Sequence, residues 1–343
     1  MLTSEAYRHM AEQLDAEIEG NPFEGMDEPA PAAAPPYRLE ALDLFELAGK
    51  TFKRREPLLT PWLCSQDLAM VFAGRGIGKT HFALAVCMAV ASGGSFGPWK
   101  APQPRRVIYL DGELSGEVFQ RRLAMHLPDP LPQQGYLRAF TPDLLPDGCA
   151  MPDLSTPSGQ AAVDRLLDDD TALLVIDNLS AWARTGRENE AESWHPIASW
   201  ILKLRRRGVA VLLIHHAGKG GQQRGTSKRE DLLDVVIGLS RPKDYEPSKG
   251  AVFVAEFSKA RNLTGQDADS LEFELGGTED KADWIVRTVE ATTFERVVAL
   301  AKEGLSQAEI SAELELNKSS VSRHLRRARD DGLLPPEAKR GKP

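Results

Sequence analysis

Short, continuous apolar runs alternate along this chain with longer segments whose apolar residues recur at helical spacing. The runs are LAMVFA at 68–73, RVIYL at 106–110, ALLVID at 172–177 and VAVLLIH at 209–215. Between them the spacing predicts helices from Thr80 to about Ala91, from Ser115 to His126 and over about 190–206. A strand that is apolar at every position has to be covered on both faces. Alternation with helices supplies that cover, so the pattern predicts an α/β core with a mostly parallel sheet. LLDVVIGL, AVFVAEFSK, LEFEL and DWIVRTV follow with no long helix between them, which predicts a more antiparallel extension of the same sheet.

Both ends depart from this pattern. Residues 22–37, NPFEGMDEPAPAAAPP, hold Pro and Ala with few large apolar groups, so residues 1–37 read as an extension with no core of its own. The leucines and Phe45 of LEALDLFELAG, 39–49, predict a short amphipathic helix that covers either its own domain or a neighbouring subunit. The core domain is expected over 38–290. From 291 to 334 the chain turns helical and charged, which predicts a separate small all-α domain, and PPEAKRGKP at 335–343 is a basic tail.

Composition excludes little beyond wholesale disorder: 42% of the 343 residues are hydrophobic and 27% charged. Charge distribution says more. The formal charge of −8 hides an acidic start, with net −7 over residues 1–30, and a basic end, with net +5 over 318–343. An acidic total therefore leaves nucleic-acid binding open, because a local patch sets the field. No run approaches a membrane span, and an acidic N-terminus is unlike a signal peptide, so the chain reads as cytoplasmic with no membrane partner. Cys64, Cys87 and Cys149 form no CxxC and are expected as buried thiols.

The chemistry begins at AGRGIGKT, Ala73–Thr80, directly after an apolar strand and before an apolar helix. Gly74, Gly76 and Gly78 let the backbone turn its N–H groups toward phosphates, and the helix N-terminus adds partial positive charge. Lys79 is placed to reach the β and γ phosphates of ATP, Thr80 to hold Mg²⁺, and His81 to line the same cofactor site. Ala73 stands where the usual phosphate loop has its first glycine, a position that needs a small residue. Asp177 ends ALLVID as expected of a strand-end carboxylate that holds Mg²⁺ through water. Glu113, at the turn after RVIYLDG, is the expected group that activates water, with Asp111 as its competitor.

Taken in order, AGRGIGKT, YLDGELS, LLVIDNLS, LLIHHAGKGG, RGTS and FSKARNLTG resemble the RecA-like ATPases of the hexameric replicative helicase type, closest to the plasmid RepA-type helicases, over about 62–289. The resemblance implies a RecA-like P-loop core with Glu113 as catalytic base and Asp177 at Mg²⁺. It implies that His216, in preference to His215, senses the γ-phosphate. Lys259 and Arg261 correspond to a Lys-x-Arg pair that acts in the neighbouring subunit's site, which requires a homo-oligomeric ring, expected to be a hexamer. Lys219, Arg224, Lys228 and Arg229 then fall in a channel loop that holds single-stranded DNA. Ser180 to Glu190, with Trp182 and Arg184, is a second loop contact.

The C-terminal segment resembles helix-turn-helix DNA-binding domains. Ser306 and Glu309 form the sequence pattern of a capping box, and the turn falls at Leu316 and Asn317. Lys318, Ser319, Ser320, Ser322 and Arg323 would face a major groove of duplex DNA, with Arg326, Arg327 and Arg329 near its backbone. The implied function is an ATP-dependent helicase or translocase in the replication of a plasmid or other mobile element. Its rivals are an ATP-regulated DNA-binding protein that does not unwind, and a recombination or repair ATPase.

Overall fold

The computed structural model describes residues 40–184, 191–217, 228–242, 245–278 and 281–335. The chain divides into two compact units, residues 1–53 and 54–343. In the first, Asp43 caps a helix at Leu44–Gly49, accepting from the N–H groups of Phe45 and Glu46 while Glu46 accepts from the N–H of Asp43. The side chains of Leu44, Phe45 and Leu47 are exposed.

The second unit opens with β1 (Pro57–Leu59) and β2 (Leu63–Cys64), a small antiparallel pair. Then come β3 (Leu68–Ala73), the short hairpin β4 (Ser95–Phe96) and β5 (Trp99–Lys100), β6 (Arg106–Asp111), β7 (Leu137–Phe140), β8 (Thr171–Asp177), β9 (Ala210–His216), β10 (Val235–Ser240), β11 (Val252–Ala260), β12 (Leu271–Gly277) and β13 (Ala282–Thr288). Nine of these form one sheet in the order β13-β12-β11-β10-β3-β9-β8-β6-β7.

Strands β7, β6, β8, β9, β3 and β10 run parallel, and β11 to β13 extend the sheet antiparallel. The expected extension is therefore corrected at its first member. LLDVVIGL forms the parallel strand β10 beside β3, because its apolar residues need cover on both faces. β7, the edge strand, carried no clear apolar run and was not predicted.

The alternation of side chains across β3 divides the core. Ala69, Val71 and Ala73 face one apolar cluster, which includes Phe82, Phe96, Trp99, Phe253 and Phe273. Leu68 and Met70 face the other, with Trp182, Trp194, Trp200 and Ile201. The helix Lys79–Ser92 is apolar on every side and is buried almost throughout, so β3 and the helix that follows it are rigidly fixed. Its end is closed by Gly93 in the left-handed conformation (φ 70°), where a Cβ would lie 2.8 Å from the Pro104 ring.

The thiols only partly follow expectation: Cys87 is buried and Cys64 half-buried, but Cys149 is exposed. Cys149 lies in an irregular segment whose neighbours are largely exposed, so no core forms over it. Among the described residues no helix is long and apolar enough to cross a membrane.

Three C-terminal helices, Val289–Lys302, Gln307–Glu313 and Lys318–Asp330, close around Val297, Ile310, Val321 and Leu325. The capping box of Ser306 and Glu309 is present, and Asn317 caps the third helix. The first helix also meets the sheet. Arg296 donates to Glu272 of β12 at 2.8 Å, and Arg287 of β13 reaches both Glu274 and Glu295 at 3.3 Å.

Candidate nucleotide site and DNA-facing surfaces

Because β3, β6, β8 and β9 are parallel, their C-terminal ends emerge on one edge of the sheet. They bring Gly74–Thr80, Asp111–Leu114, Asp177–Asn178 and His216 around one cleft of about 610 Å³. β9 lies between β3 and β8, so the phosphate loop and Asp177 are two strand spacings apart, about 10 Å. The start of the helix spans that gap and brings the Thr80 side chain close to Asp177.

The loop itself is built for close approach. Gly76 and Gly78 have φ of 72° and 123°, and a Cβ on Gly78 would lie 3.0 Å from the Phe253 ring. Ala73, in the first-glycine position, ends β3 with ordinary strand pairing to His216 and Leu239, so the turn begins at Gly74. Lys79 is buried, and its ammonium donates to the carbonyls of Ala73 at 3.1 Å and Gly74 at 2.8 Å. Burial lowers its pKa, while the carboxylates of Asp177 and Glu113 oppose the shift.

Burial raises the pKa of Asp177, and hydrogen bonds from Tyr109 and Thr80 act against it. The Tyr109 hydroxyl donates at 2.6 Å from inside the sheet, which fixes the carboxylate.

Asp111 and Glu113 differ in surroundings. Asp111 is 1% exposed and accepts from the N–H of Leu114 (3.1 Å) and from the Thr141 hydroxyl (3.2 Å). Burial nevertheless pushes its pKa up to about 6. Its oxygens hold the turn on which Glu113 stands, whereas the Glu113 carboxylate is half-exposed in the cleft.

His216 Nε2 lies 3.4 Å from Glu113 Oε1 and 3.1 Å from Asn178 Nδ2. One nitrogen thus serves two partners. It accepts from the Asn178 amide when the ring proton is on Nδ1, and it can donate to Glu113 when the proton is on Nε2. His215, on the opposite face of β9, is fully buried.

His81 lines the cleft as expected, but its Nδ1 is 2.9 Å from His126 Nε2, and His126 stacks on Trp284. Burial pushes His81 down to about 4 and His126 down to about 3, so both rings are neutral near pH 7.

The donor set fits a magnesium triphosphate. Glycine N–H groups and Lys79 would take the phosphates, and Thr80 and Asp177 would share Mg²⁺ with them, the usual arrangement for an ion that keeps oxygen ligands from its substrate. Bound there, Mg²⁺ neutralises charge on the phosphate oxygens. Sequence reasoning missed Tyr109, Asn178, Arg75 and Arg122, the last three of which line the cleft. Arg75, inside the glycine loop, and Asn178, immediately after Asp177, carried a signal by their place in the motifs. Arg241, which donates to the Gly76 carbonyl at 3.2 Å, arrives from 165 positions away.

Lys259 and Arg261 are not in this cleft. β11 is antiparallel to β10, with Ala255 opposite Leu239 and Ala260 opposite Val235, whereas Leu239 and Val235 pair with Ala73 and Ala69 of β3. The Lys-x-Arg pair therefore lies at the opposite end of the sheet from the chain's own phosphate loop, more than about 13 Å along the strands.

Of the expected DNA contacts, Lys219 and Arg224 lie outside the described residues, as do the side chains of Lys228 and Arg229. The second loop contact is corrected at Trp182. That residue ends a helix, Leu179–Trp182, and is 1% exposed in the core, because its large apolar ring fills the layer beneath Phe140. Arg184 remains exposed. On the helix Lys318–Asp330, Lys318, Ser319, Arg323 and Arg326 are exposed and Ser322 is half-exposed. Ser320 is half-exposed like Ser322, with its N–H on the Asn317 cap at 2.7 Å, and Arg327 lies over the Phe294 ring at 4.5 Å.

Comparison with known proteins bears on both regions. The sequence family described as "AAA domain" matches residues 33–222, more than half of the chain, and the family "Bacterial regulatory protein, arsR family" matches residues 297–334. No curated protein gives a significant match. Similar solved structures include a KaiC-like protein from the hyperthermophilic archaeon Pyrococcus horikoshii, at 16% identity, TM-score 0.47, over 67% of this chain and 93% of that one. The RadB recombinase is similar at 18% identity, TM-score 0.43, over 64% and 90%. With a glycine loop, a buried lysine and a strand-end aspartate gathered at one sheet edge, the chain belongs to the AAA domain family of P-loop ATPases, and its C-terminal helix-turn-helix region is similar to that of the arsR family.

Proposed function

We propose that the protein is an ATP-driven DNA translocase, a RepA-type helicase that works as a hexameric ring in the replication of a plasmid or other mobile element. One observation supports this above the others: Lys259 and Arg261 stand at the sheet end remote from their own nucleotide cleft, where a neighbouring copy would receive them. A guanidinium supplied from a second subunit stabilises charge on the transferring phosphoryl oxygens and makes turnover depend on assembly.

In the cleft, Glu113 deprotonates or orients the attacking water, on a turn held by Asp111. Lys79 keeps the phosphates in place, and Thr80 and Asp177 hold Mg²⁺. His216, within reach of Glu113 on one side and Asn178 on the other, passes the state of the γ-phosphate to the segment after β9. That segment, with Lys219, Arg224, Lys228 and Arg229, contacts single-stranded DNA in the ring channel. The face of Lys318, Ser319, Ser322, Arg323 and Arg326 contacts duplex DNA.

The match to bacterial regulatory proteins of the arsR family favours a second reading, an ATP-controlled regulator that binds a duplex site without unwinding it. A forked substrate with a single-stranded tail separates the two. A translocase gives ATP-dependent strand separation that Lys79→Ala abolishes. Tight binding to a duplex site with no strand separation would establish the regulator instead.

A further inference from the structure

Arg261 is engaged on its own chain. Its Nη2 donates to the Asp231 carbonyl at 2.8 Å, and its Nη1 lies 3.8 Å from Asp234 Oδ1. Its backbone N–H also donates to the Asp234 carbonyl at 3.2 Å. Lys259 is held in the same way, by the carbonyl of Glu230. The acceptors come from the helix Lys228–Leu232 and the start of β10, so one short segment holds both cations.

Asp234 is the centre of this arrangement. Its carboxylate is 2% exposed, and Oδ2 accepts the N–H of Leu68 at 3.0 Å. Its Oδ1 faces Arg205 at 3.3 Å and Arg55 at 3.8 Å as well as Arg261. Arg55 has a second partner, Asp67, at 2.7 Å. Of the three guanidinium groups Arg261 is the most exposed, at 51% against 33% for Arg55 and 24% for Arg205, and so the one able to leave.

A guanidinium binds a phosphoryl group through its terminal nitrogens. Both of those in Arg261 face acceptors of its own chain, so the two engagements exclude each other. We infer that Asp234 is a positioning residue that restrains Arg261 on its own subunit, so that a neighbour's triphosphate must compete with this carboxylate for the finger. The inference rests on the proposal that Arg261 acts across a subunit boundary.

The competition gives Asp234 and Arg205 opposite effects. In Asp234→Asn the amide oxygen still accepts the Leu68 N–H, but the charge that holds Arg261 is gone. The KM for ATP should fall about threefold with kcat retained, the scale on which a half-exposed ion pair biases an equilibrium. In Arg205→Ala one competing cation is removed, Asp234 holds Arg261 more tightly, and KM should rise by a similar factor.

The test is steady-state ATP turnover of the two full-length variants, with circular dichroism to compare their folds. A merely structural role predicts shifts in the same direction, since both changes loosen one buried cluster. If Asp234→Asn does not fold, the rise in KM of Arg205→Ala carries the test, and an unchanged or lower KM there overturns the inference. Arg261→Ala is assayed alone and mixed with Lys79→Ala. No loss of turnover, or no recovery on mixing, defeats action across the boundary and this inference with it. Loss and recovery combined with unchanged or like-signed KM shifts defeat only the role of Asp234.

Discussion

At the scale of single residues, the cleft assigns different work to carboxylates that the sequence presents alike. Asp111, Glu113 and Asp177 all follow apolar strands. Asp177 is fixed by Tyr109, Asp111 accepts from Leu114 and Thr141 to shape a turn, and Glu113 is left half-exposed beside His216. A base must meet solvent water and lose its proton easily, so Glu113 is the group suited to it. Glu113→Gln should retain nucleotide affinity while turnover drops about 10²–10⁴-fold, the usual contribution of a general base. Equilibrium binding of a fluorescent ATP analogue and a phosphate-release assay measure the two quantities. Undiminished release would transfer the role to another group in the cleft.

At the scale of elements, the helix Lys79–Ser92 is locked on its neighbours by aromatic packing and by polar contacts that include His81 with His126 at the end of the helix Gly116–Met125. Burial lowers both imidazole pKa values, to about 4 and about 3, from an ordinary 6.5. Below pH 6.5 the unfolded chain therefore binds protons that the folded chain refuses, and stability falls with pH down to about 4. Asp67 and Asp111, each raised from 3.8 to about 6, act with the opposite sign from about pH 6 down to 3.8. The informative quantity is thus the difference between variants. His126→Phe keeps an aromatic ring on Trp284 and removes one titrating group. Its Tm should fall less than that of the parent protein between pH 7 and pH 5 in thermal melts. An equal slope would mean that the pair does not stay neutral in the fold.

At the scale of the whole second unit, the helix Val289–Lys302 belongs to two structures at once. Val297 lies in the small helical core, while Arg296 pairs with Glu272 of the sheet, which is only 6% exposed. Removing Arg296 leaves that carboxylate without its cation. Arg296→Ala should cost about 1–3 kcal/mol and raise hydrogen exchange over 289–302 while leaving basal ATP turnover in place. Exchange that is unchanged would mean that the Arg287 pairs suffice to hold the helix. The sequence alone determined the long apolar strands of the sheet, the phosphate loop, the strand-end Asp177 and the helix-turn-helix. These are set by local periodicity, glycine freedom and capping, which act over a few residues. Only the tertiary structure decided that Asp111 serves a turn, that Trp182 is core, that LLDVVIGL runs parallel, that Asn178 lines the cleft, and that Tyr109 and Arg241 hold Asp177 and the phosphate loop from outside it. Each of these depends on which strand lies beside which, a pairing between residues far apart in the chain that no local pattern records.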